Sequence, residues 1–332
     1  MGNGNKISII IPAYNVEKYI GACIETVKKQ TCREFECVIV DDGSTDRTLE
    51  VIYDCIGQDS RFQIYQQENL GVSQARNVAM EHASGDYLLF LDADDLLKSN
   101  AVELVKTDTQ NNSPDILLYP AVSYYEEQQV DGSIVTSVKV RNWHIERKTY
   151  SGCEALGVCL SEPHFWFAVW QTVVSLKYVQ ENSYKFKRGI VHEDELWLMR
   201  VIGNADKVQV GSGTYYMNRG RRIGGITQSH DIQKELDRCT VIRELQRDVK
   251  ENEARKEYVV SLKEKCAELE LTTILNYSMY AKDDNDKALL GEIKRNRGAL
   301  CGVKRIKYRM IWLASYIIRI RTLSEMLCHI RR

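Results

Sequence analysis

No stretch of 18 uncharged residues occurs in this 332-residue chain, so no segment is expected to span a bilayer. Net charge is nearly absent too. The 45 Lys and Arg stand against 46 Asp and Glu, a formal balance of -1, which removes the bulk positive charge of a nucleic-acid binder. Ten cysteines are present, but no Cys-x-x-Cys pair and no regular framework, which argues against structural zinc. Cys23, Cys37 and Cys55 fall inside apolar patterns, as small buried hydrophobes do. The chain opens without the charged, apolar and small-residue succession of a secretory signal, so a reduced cytoplasmic protein is expected. Gly-x-Gly-x-x-Gly is missing after the first apolar run, where Pro12-Ala13-Tyr14-Asn15 stands instead, and this excludes a dinucleotide-binding oxidoreductase.

What is present is an ordinary globular composition, 44% hydrophobic and 27% charged, enough for one large domain plus an appendage. Lys6 to Ala13 is a β-branched run that reads as a buried strand ended by Pro12. From Val16 the apolar positions step by three and four through Ile20, Cys23, Ile24 and Val27, which predicts a helix. Phe35 to Val40 and Arg61 to Gln66 read as further strands, and Leu49, Ile52, Ile56 and then Val72, Ala75, Ala79 mark the helices after them. A fourth strand, Tyr87 to Leu91, runs into Asp92-Ala93-Asp94-Asp95. Strands alternating with helices predict a βαβ array around a mostly parallel sheet.

Polar residues collect after three of these strands: Tyr14-Asn15, Asp41-Asp42 and Asp92/Asp94/Asp95. Parallel strands send all three loops to one edge of the sheet, where open α/β sheets bind ligands. Three carboxylates within four positions repel one another unless a cation intervenes, and oxygen ligands suit Mg2+ or Mn2+. A divalent-metal site holding a phosphate-bearing substrate is therefore expected, against the alternative that these acids merely cap the next helix.

The segments IIIPAYNVEKYI, VIVDDGSTDRT, ENLGVSQARNVAM, GDYLLFLDADD and VHEDELW, in this order, closely resemble the inverting glycosyltransferases of family 2. The resemblance covers roughly residues 5 to 230. It implies a GT-A fold, a Rossmann-like mostly parallel sheet flanked by helices. It also implies transfer of a sugar from a nucleotide diphosphate to an acceptor hydroxyl, with inversion at the anomeric carbon. The catalytic domain is expected over 1–228 and a helical C-terminal region over 229–332.

The resemblance also implies roles. Pro12, Ala13, Tyr14 and Asp42 hold the base, usually uracil, whose N3–H a carboxylate can accept. Asp42 could instead cap the following helix, and Glu17 could contact the base or simply start its own helix. Arg76 lies near the diphosphate or the acid cluster, where its fork suits either partner, or is a surface arginine. Asp94 ligates Mn2+ or Mg2+, and Asp92 reaches the metal through water or contacts the ribose; the share taken by Asp95 stays open. Asp194 of His192-Glu193-Asp194-Glu195 matches the catalytic base, although acids at a helix start are also favoured by its dipole. Glu193 beside it is an acceptor candidate. Trp170, in the aromatic run from His164, either lines the acceptor site or packs in the core. The loop Asn218 to Thr227, carrying Arg219 and Arg222 among glycines, can close over the diphosphate.

Asp231 onward reads as charged helices with a polar break at Lys282 to Lys287. From Lys304 to Arg332 eight basic residues face a single acid, Glu325. On one helix Ile306, Met310, Leu313, Ile317, Ile320 and Leu327 would form an apolar ridge flanked by Arg305, Arg309, Trp312, Tyr316 and Arg319. Such a basic amphipathic helix suits the anionic inner face of the cell membrane, or else packs on protein.

The expected partners are a UDP-sugar and a saccharide, lipid-linked acceptor in surface polysaccharide synthesis. Transfer to a polyprenyl phosphate and non-catalytic sugar-nucleotide binding are the alternatives. A sugar nucleotidyltransferase would open with a glycine-rich arginine-bearing loop, absent here, and a glycosidase would not need the nucleotide-binding loops.

Overall fold

The computed structural model describes residues 5–110, 112–128, 134–140, 143–220, 231–280, 286–301, 303 and 306–331. The chain packs as two compact units, 1–189 with 200–228, and 190–199 with 229–332. Residues 190–199, expected in the first unit, thus group with the C-terminal helices.

In the first unit the β-branched runs become parallel strands β1 (Ile7–Ala13), β2 (Phe35–Asp41), β3 (Phe62–Gln66) and β4 (Tyr87–Phe90). Helices α1 (Ile20–Lys28), α2 (Thr48–Ile56) and α3 (Val72–His82) connect them. Every residue of β2 and β4 is buried, as a strand covered on both faces requires. In α1 the buried residues are Ile20, Cys23, Ile24 and Val27, the three-and-four stepping positions. Val16 to Tyr19, read as the start of that helix, is a separate turn. Its Val16 and Glu17 N–H groups donate to Thr48 Oγ1 (2.7 Å) and Asp46 Oδ2 (3.2 Å).

Beyond β4 come β5 (Leu96–Leu97), α4 (Ala101–Gln110), β6 (Ile116–Leu118), β7 (Val122–Gln128), β8 (Ile134–Val140) and β9 (Thr149–Tyr150). They are followed by α5 (Gly152–Ser161), β10 (Thr172–Ser175), α6 (Leu176–Glu181), α7 (Glu193–Gly203), β11 (Val208–Val210) and β12 (Tyr216–Arg219). An eight-stranded sheet runs in the order β3-β2-β1-β4-β10-β6-β11-β9, and a smaller one in the order β5-β12-β7-β8. The large sheet is parallel from β3 to β4 and turns mixed at β10, which is antiparallel to both neighbours. β2 and β3 lie on one side of β1, and β4 on the other. The strand order therefore reverses between β1 and β4, and a crevice opens outside their carboxyl ends, the usual ligand position in such sheets.

The second unit holds α8 (Ile232–Glu251), α9 (Lys256–Tyr280), α10 (Asp286–Asn296), α11 (Ile306–Ile317) and α12 (Ile320–Arg331). Its core includes Cys239, Ala267, Ile274, Tyr277, Leu289 and Ile293, with Ile320 and Leu323 from α12. The single helix expected from Ile306 to Leu327 is two helices, broken at Ile318 and Arg319. The physical reason lies in the ridge. Met310, Leu313 and Ile317 face solvent while Ile320 and Leu323 are buried, and one straight helix would put Ile317 and Ile320 on the same side. The break lets α12 dock on α9, where Ser324 accepts the Ser278 N–H (3.0 Å) and donates to the Leu275 carbonyl (3.1 Å). Among the described residues no helix is long and apolar enough to cross a membrane.

Candidate active site

The crevice end of β1 places Tyr14 at the surface, 43% exposed, above a buried Ala13. Asn15 adopts a left-handed backbone (φ 48) and accepts the Thr45 N–H at 2.8 Å, so the loops after β1 and β2 brace one another. Gly43 sits at φ 72, and a Cβ there would lie 2.8 Å from the Asn69 nitrogen, which leaves glycine as the residue that fits this turn. Glu17 resolves toward structure, since its carboxylate accepts the Arg47 N–H at 3.0 Å at the start of α2.

Asp42 is 3% exposed and does not cap α2. Its Oδ1 accepts from Gln67 Nε2 (2.6 Å) and the Leu70 N–H (2.9 Å), and its Oδ2 from the Gly71 N–H (2.9 Å). The carboxylate therefore anchors the loop that leads into α3. One turn into α3, the buried Arg76 sits over the Phe186 ring at 5.4 Å and pairs with Asp92 (Nη2 to Oδ1, 3.0 Å). Arg76 is thus brought to the acid cluster and is no surface arginine.

The three acids after β4 divide. Asp92 and Asp94 are partly exposed at the crevice, whereas Asp95 is buried. Asp95 accepts from the Tyr216 hydroxyl (2.6 Å), Asn218 Nδ2 (3.2 Å) and the Arg219 N–H (2.6 Å), tying the acid loop to β12. Burial, with the charges of Asp92 and Asp94 beside it, pushes the Asp95 carboxyl up to about 8. Tyr216 also accepts the Asp92 N–H at 3.2 Å. Arg219 donates from Nε to the Asp94 carbonyl (3.0 Å), with its guanidinium over Tyr19 and Tyr124. Arg222 lies outside the described residues.

Trp170 is buried and stacks face to face on Tyr216, with centroids 4.8 Å apart. The stack backs the tyrosine that holds the acid loop. In the second unit, Asp194 lies in the first turn of α7, partly exposed, with Oδ1 accepting the Glu195 N–H at 2.9 Å. Glu193 is buried.

The family model for glycosyl transferase family 2 matches residues 8–166. Glycosyltransferase GlyG of Streptococcus pneumoniae serotype 4 (strain ATCC BAA-334 / TIGR4) is 29% identical over 226 residues, 67% of this chain and 73% of that protein. Chondroitin synthase of Pasteurella multocida (strain Pm70) is 35% identical over 159 residues, 42% of this chain and only 16% of the synthase. The crystal structure of S. aureus TarS 1-349 in complex with UDP-GlcNAc superposes with a TM-score of 0.75 at 21% identity, over 96% of this chain and 90% of that one. Residues 8–166 form a glycosyl transferase family 2 domain, and the chain is a glycosyltransferase.

In this glycosyltransferase the acid pair fits a metal shared with substrate. No group of three His, Cys, Asp or Glu among the described residues could hold an ion unaided. With Asp95 committed to β12, Asp92 and Asp94 remain at the crevice. Mg2+-type sites commonly use one or two carboxylates and complete their shell with phosphate oxygens and water. Sequence reasoning missed Tyr216 and read Asn218 only as the start of the basic loop, whereas it lies in β12. The two stand 121 and 123 residues from Asp95, and no local period links such positions.

Proposed function

We propose that this glycosyltransferase moves a sugar from a UDP-linked donor to a hydroxyl of a lipid-linked saccharide during surface polysaccharide assembly, with inversion at the anomeric carbon. The observation that carries the reading is the meeting of Asp92, Asp94 and Arg76 outside the switch point between β1 and β4. Those groups match what a nucleoside diphosphate needs: a cation site and a planar donor beside it. Asp94 and, directly or through water, Asp92 would hold Mn2+ or Mg2+. The ion would neutralise charge growing on the leaving diphosphate. TarS bound to UDP-GlcNAc supports the donor class, and the partial match to a chondroitin synthase supports a saccharide product.

In this reading Pro12 and Ala13 shape the base pocket and the Tyr14 ring covers the base. Asp42 takes the uracil N3–H, with the Gln67 amide giving way. Asp194 removes the proton from the acceptor hydroxyl, Glu193 and Trp170 support the acceptor side, and Arg219 and Arg222 steady the diphosphate. A panel of nucleotide sugars, read by release of free nucleotide with and without Mn2+, tests this. Turnover should appear with a UDP-sugar and Mn2+, and calorimetry should show UDP binding tighter than CDP. Equal affinity for UDP and CDP would remove the uracil contact.

The enzyme's working place, in the same proposal, is the anionic inner surface of the cell membrane. Support comes from α11, which turns Met310 (65% exposed), Leu313 (54%) and Ile317 (84%) to solvent along one stripe. Lys307, Arg309, Arg319 and Arg321 are exposed on α11, α12 and the break between them. Apolar anchors ringed by cations suit an anionic lipid interface. The full chain should therefore sediment with anionic liposomes at low salt, and a Met310→Ser, Leu313→Ser, Ile317→Ser variant should stay in the supernatant. Salt should weaken the association, because exposed charges are screened over about 10 Å at roughly 0.1 M. A full chain that ignores anionic liposomes would assign this stripe to a protein partner.

A further inference from the structure

Helix α7 starts from an unusual backbone. His192, the residue before it, has φ 71, a left-handed conformation that costs a non-glycine residue on the order of 1–3 kcal/mol unless its surroundings impose it. The surroundings are a chain of polar side chains from α8 and α9. Glu195, in the first turn of α7, pairs with Lys265 of α9 (Oε2 to Nζ, 2.6 Å) and with His192 (Oε1 to Nδ1, 3.3 Å). The other ring nitrogen of His192 meets Arg238 of α8 (3.1 Å), Arg238 pairs with Glu235, and Glu235 accepts from Asn276 of α9 (2.8 Å). One residue earlier, the Val191 N–H donates to Asp237 of α8 (3.0 Å).

Lys265 is 2% exposed and Glu195 15%. Burial alone would push the Glu195 carboxyl up, but Lys265 and His192 outweigh it and hold the group well below the ordinary range, so the pair stays ionised. A buried pair of this kind is weak evidence for net stability. What it supplies is a fixed geometry, because each partner left alone would be a costly buried charge. Asp194 sits between the two anchored residues, His192 and Glu195, and accepts the Glu195 N–H.

We propose that the chain Lys265–Glu195–His192–Arg238 is a positioning device for Asp194, which fixes the direction of its carboxylate from the C-terminal helices. The inference rests on the reading of Asp194 as the general base. It gives the helical unit a part in catalysis beyond packing. Misplacement of a reacting group by about 1 Å can cost on the order of 10²-fold, so loss of the device should act on turnover and spare nucleotide binding.

The test is a double-mutant cycle. Glu195→Gln should lower kcat by about 10- to 100-fold while the donor KM and the UDP affinity stay within about twofold. In an Asp194→Asn background the same substitution should change the residual rate by less than about threefold, because the group it positions is gone. His192→Asn, which tolerates the left-handed backbone but cannot bridge Glu195 to Arg238, should behave likewise and carries the cycle if Glu195→Gln lowers the melting temperature strongly. An equal fall in both backgrounds, as a general structural effect gives, overturns the positioning role and leaves the base reading standing. Near-normal turnover of Asp194→Asn alone removes the base reading, and the positioning role with it.

Discussion

Asp94→Ala is expected to lower turnover by about 10³-fold or more, roughly 4 kcal/mol of barrier, while leaving the fold intact. The size of the effect follows from the way the acids divide. Asp95 is held by Tyr216, Asn218 and Arg219, and one oxygen of Asp92 is engaged by Arg76, so Asp92 alone would be left to hold the ion. If Asp94 holds the cation as proposed, its removal would leave the diphosphate charge without a counter-ion as the glycosidic bond breaks. Asp94 is partly exposed, so its truncation opens no core cavity, and thermal unfolding should match that of the parent protein within a few degrees. The measurement is nucleotide release from the best donor of the panel, with EDTA treatment of the parent protein as a parallel arm. A rate within about tenfold of the parent in either arm would take the metal role from this residue.

Asp194→Asn should cost about 10²–10⁴-fold in kcat with UDP binding unchanged. The amide keeps the shape of the side chain, and its oxygen can still accept the Glu195 N–H, yet it cannot take a proton from an alcohol. The loss should therefore appear in the transfer step alone. Stereochemistry supplies an independent check. A base that activates the hydroxyl on the face opposite the diphosphate gives a β-linked product from an α-linked donor, which the anomeric coupling in the product NMR spectrum reports. A retained α linkage would exclude inversion, and a variant with near-normal turnover would exclude Asp194 as base.

Much of the first unit is legible in the sequence. Ile7 to Ala13, Phe35 to Val40 and Tyr87 to Leu91 are apolar runs that only a strand covered on both faces accommodates, and each forms one. The stepping of Ile20, Cys23, Ile24 and Val27 gave the buried face of α1 in the same way. Because β1, β2 and β4 are parallel, connectivity alone sends the loops that carry Tyr14, Asp42 and the acid cluster to one edge of the sheet. Past residue 100 the signal fades. β5, β6, β9, β10 and β11 are two to four residues long, too short to express a period, and β10 reverses direction in the sheet. The tail misled for a related reason. A 3.6-residue period describes one face of one helix, and it continues unbroken in the sequence from Met310 to Ile320 whether or not the backbone turns between them.

By itself, then, the sequence determined the alternating strands and helices, the edge at which the polar loops gather, and the family to which the five motifs belong. These rest on patterns between residues a few positions apart. Tertiary structure decided which partners each polar group meets there. Asp95 is a clamp on β12 rather than an open ligand, Asp42 braces the loop into α3, Trp170 supports Tyr216, and Glu195 is joined to Lys265 seventy residues on. A carboxylate acquires its role from the donors and charges within about 3 Å of it, and those arrive from distant parts of the chain only after the sheet and helices have packed.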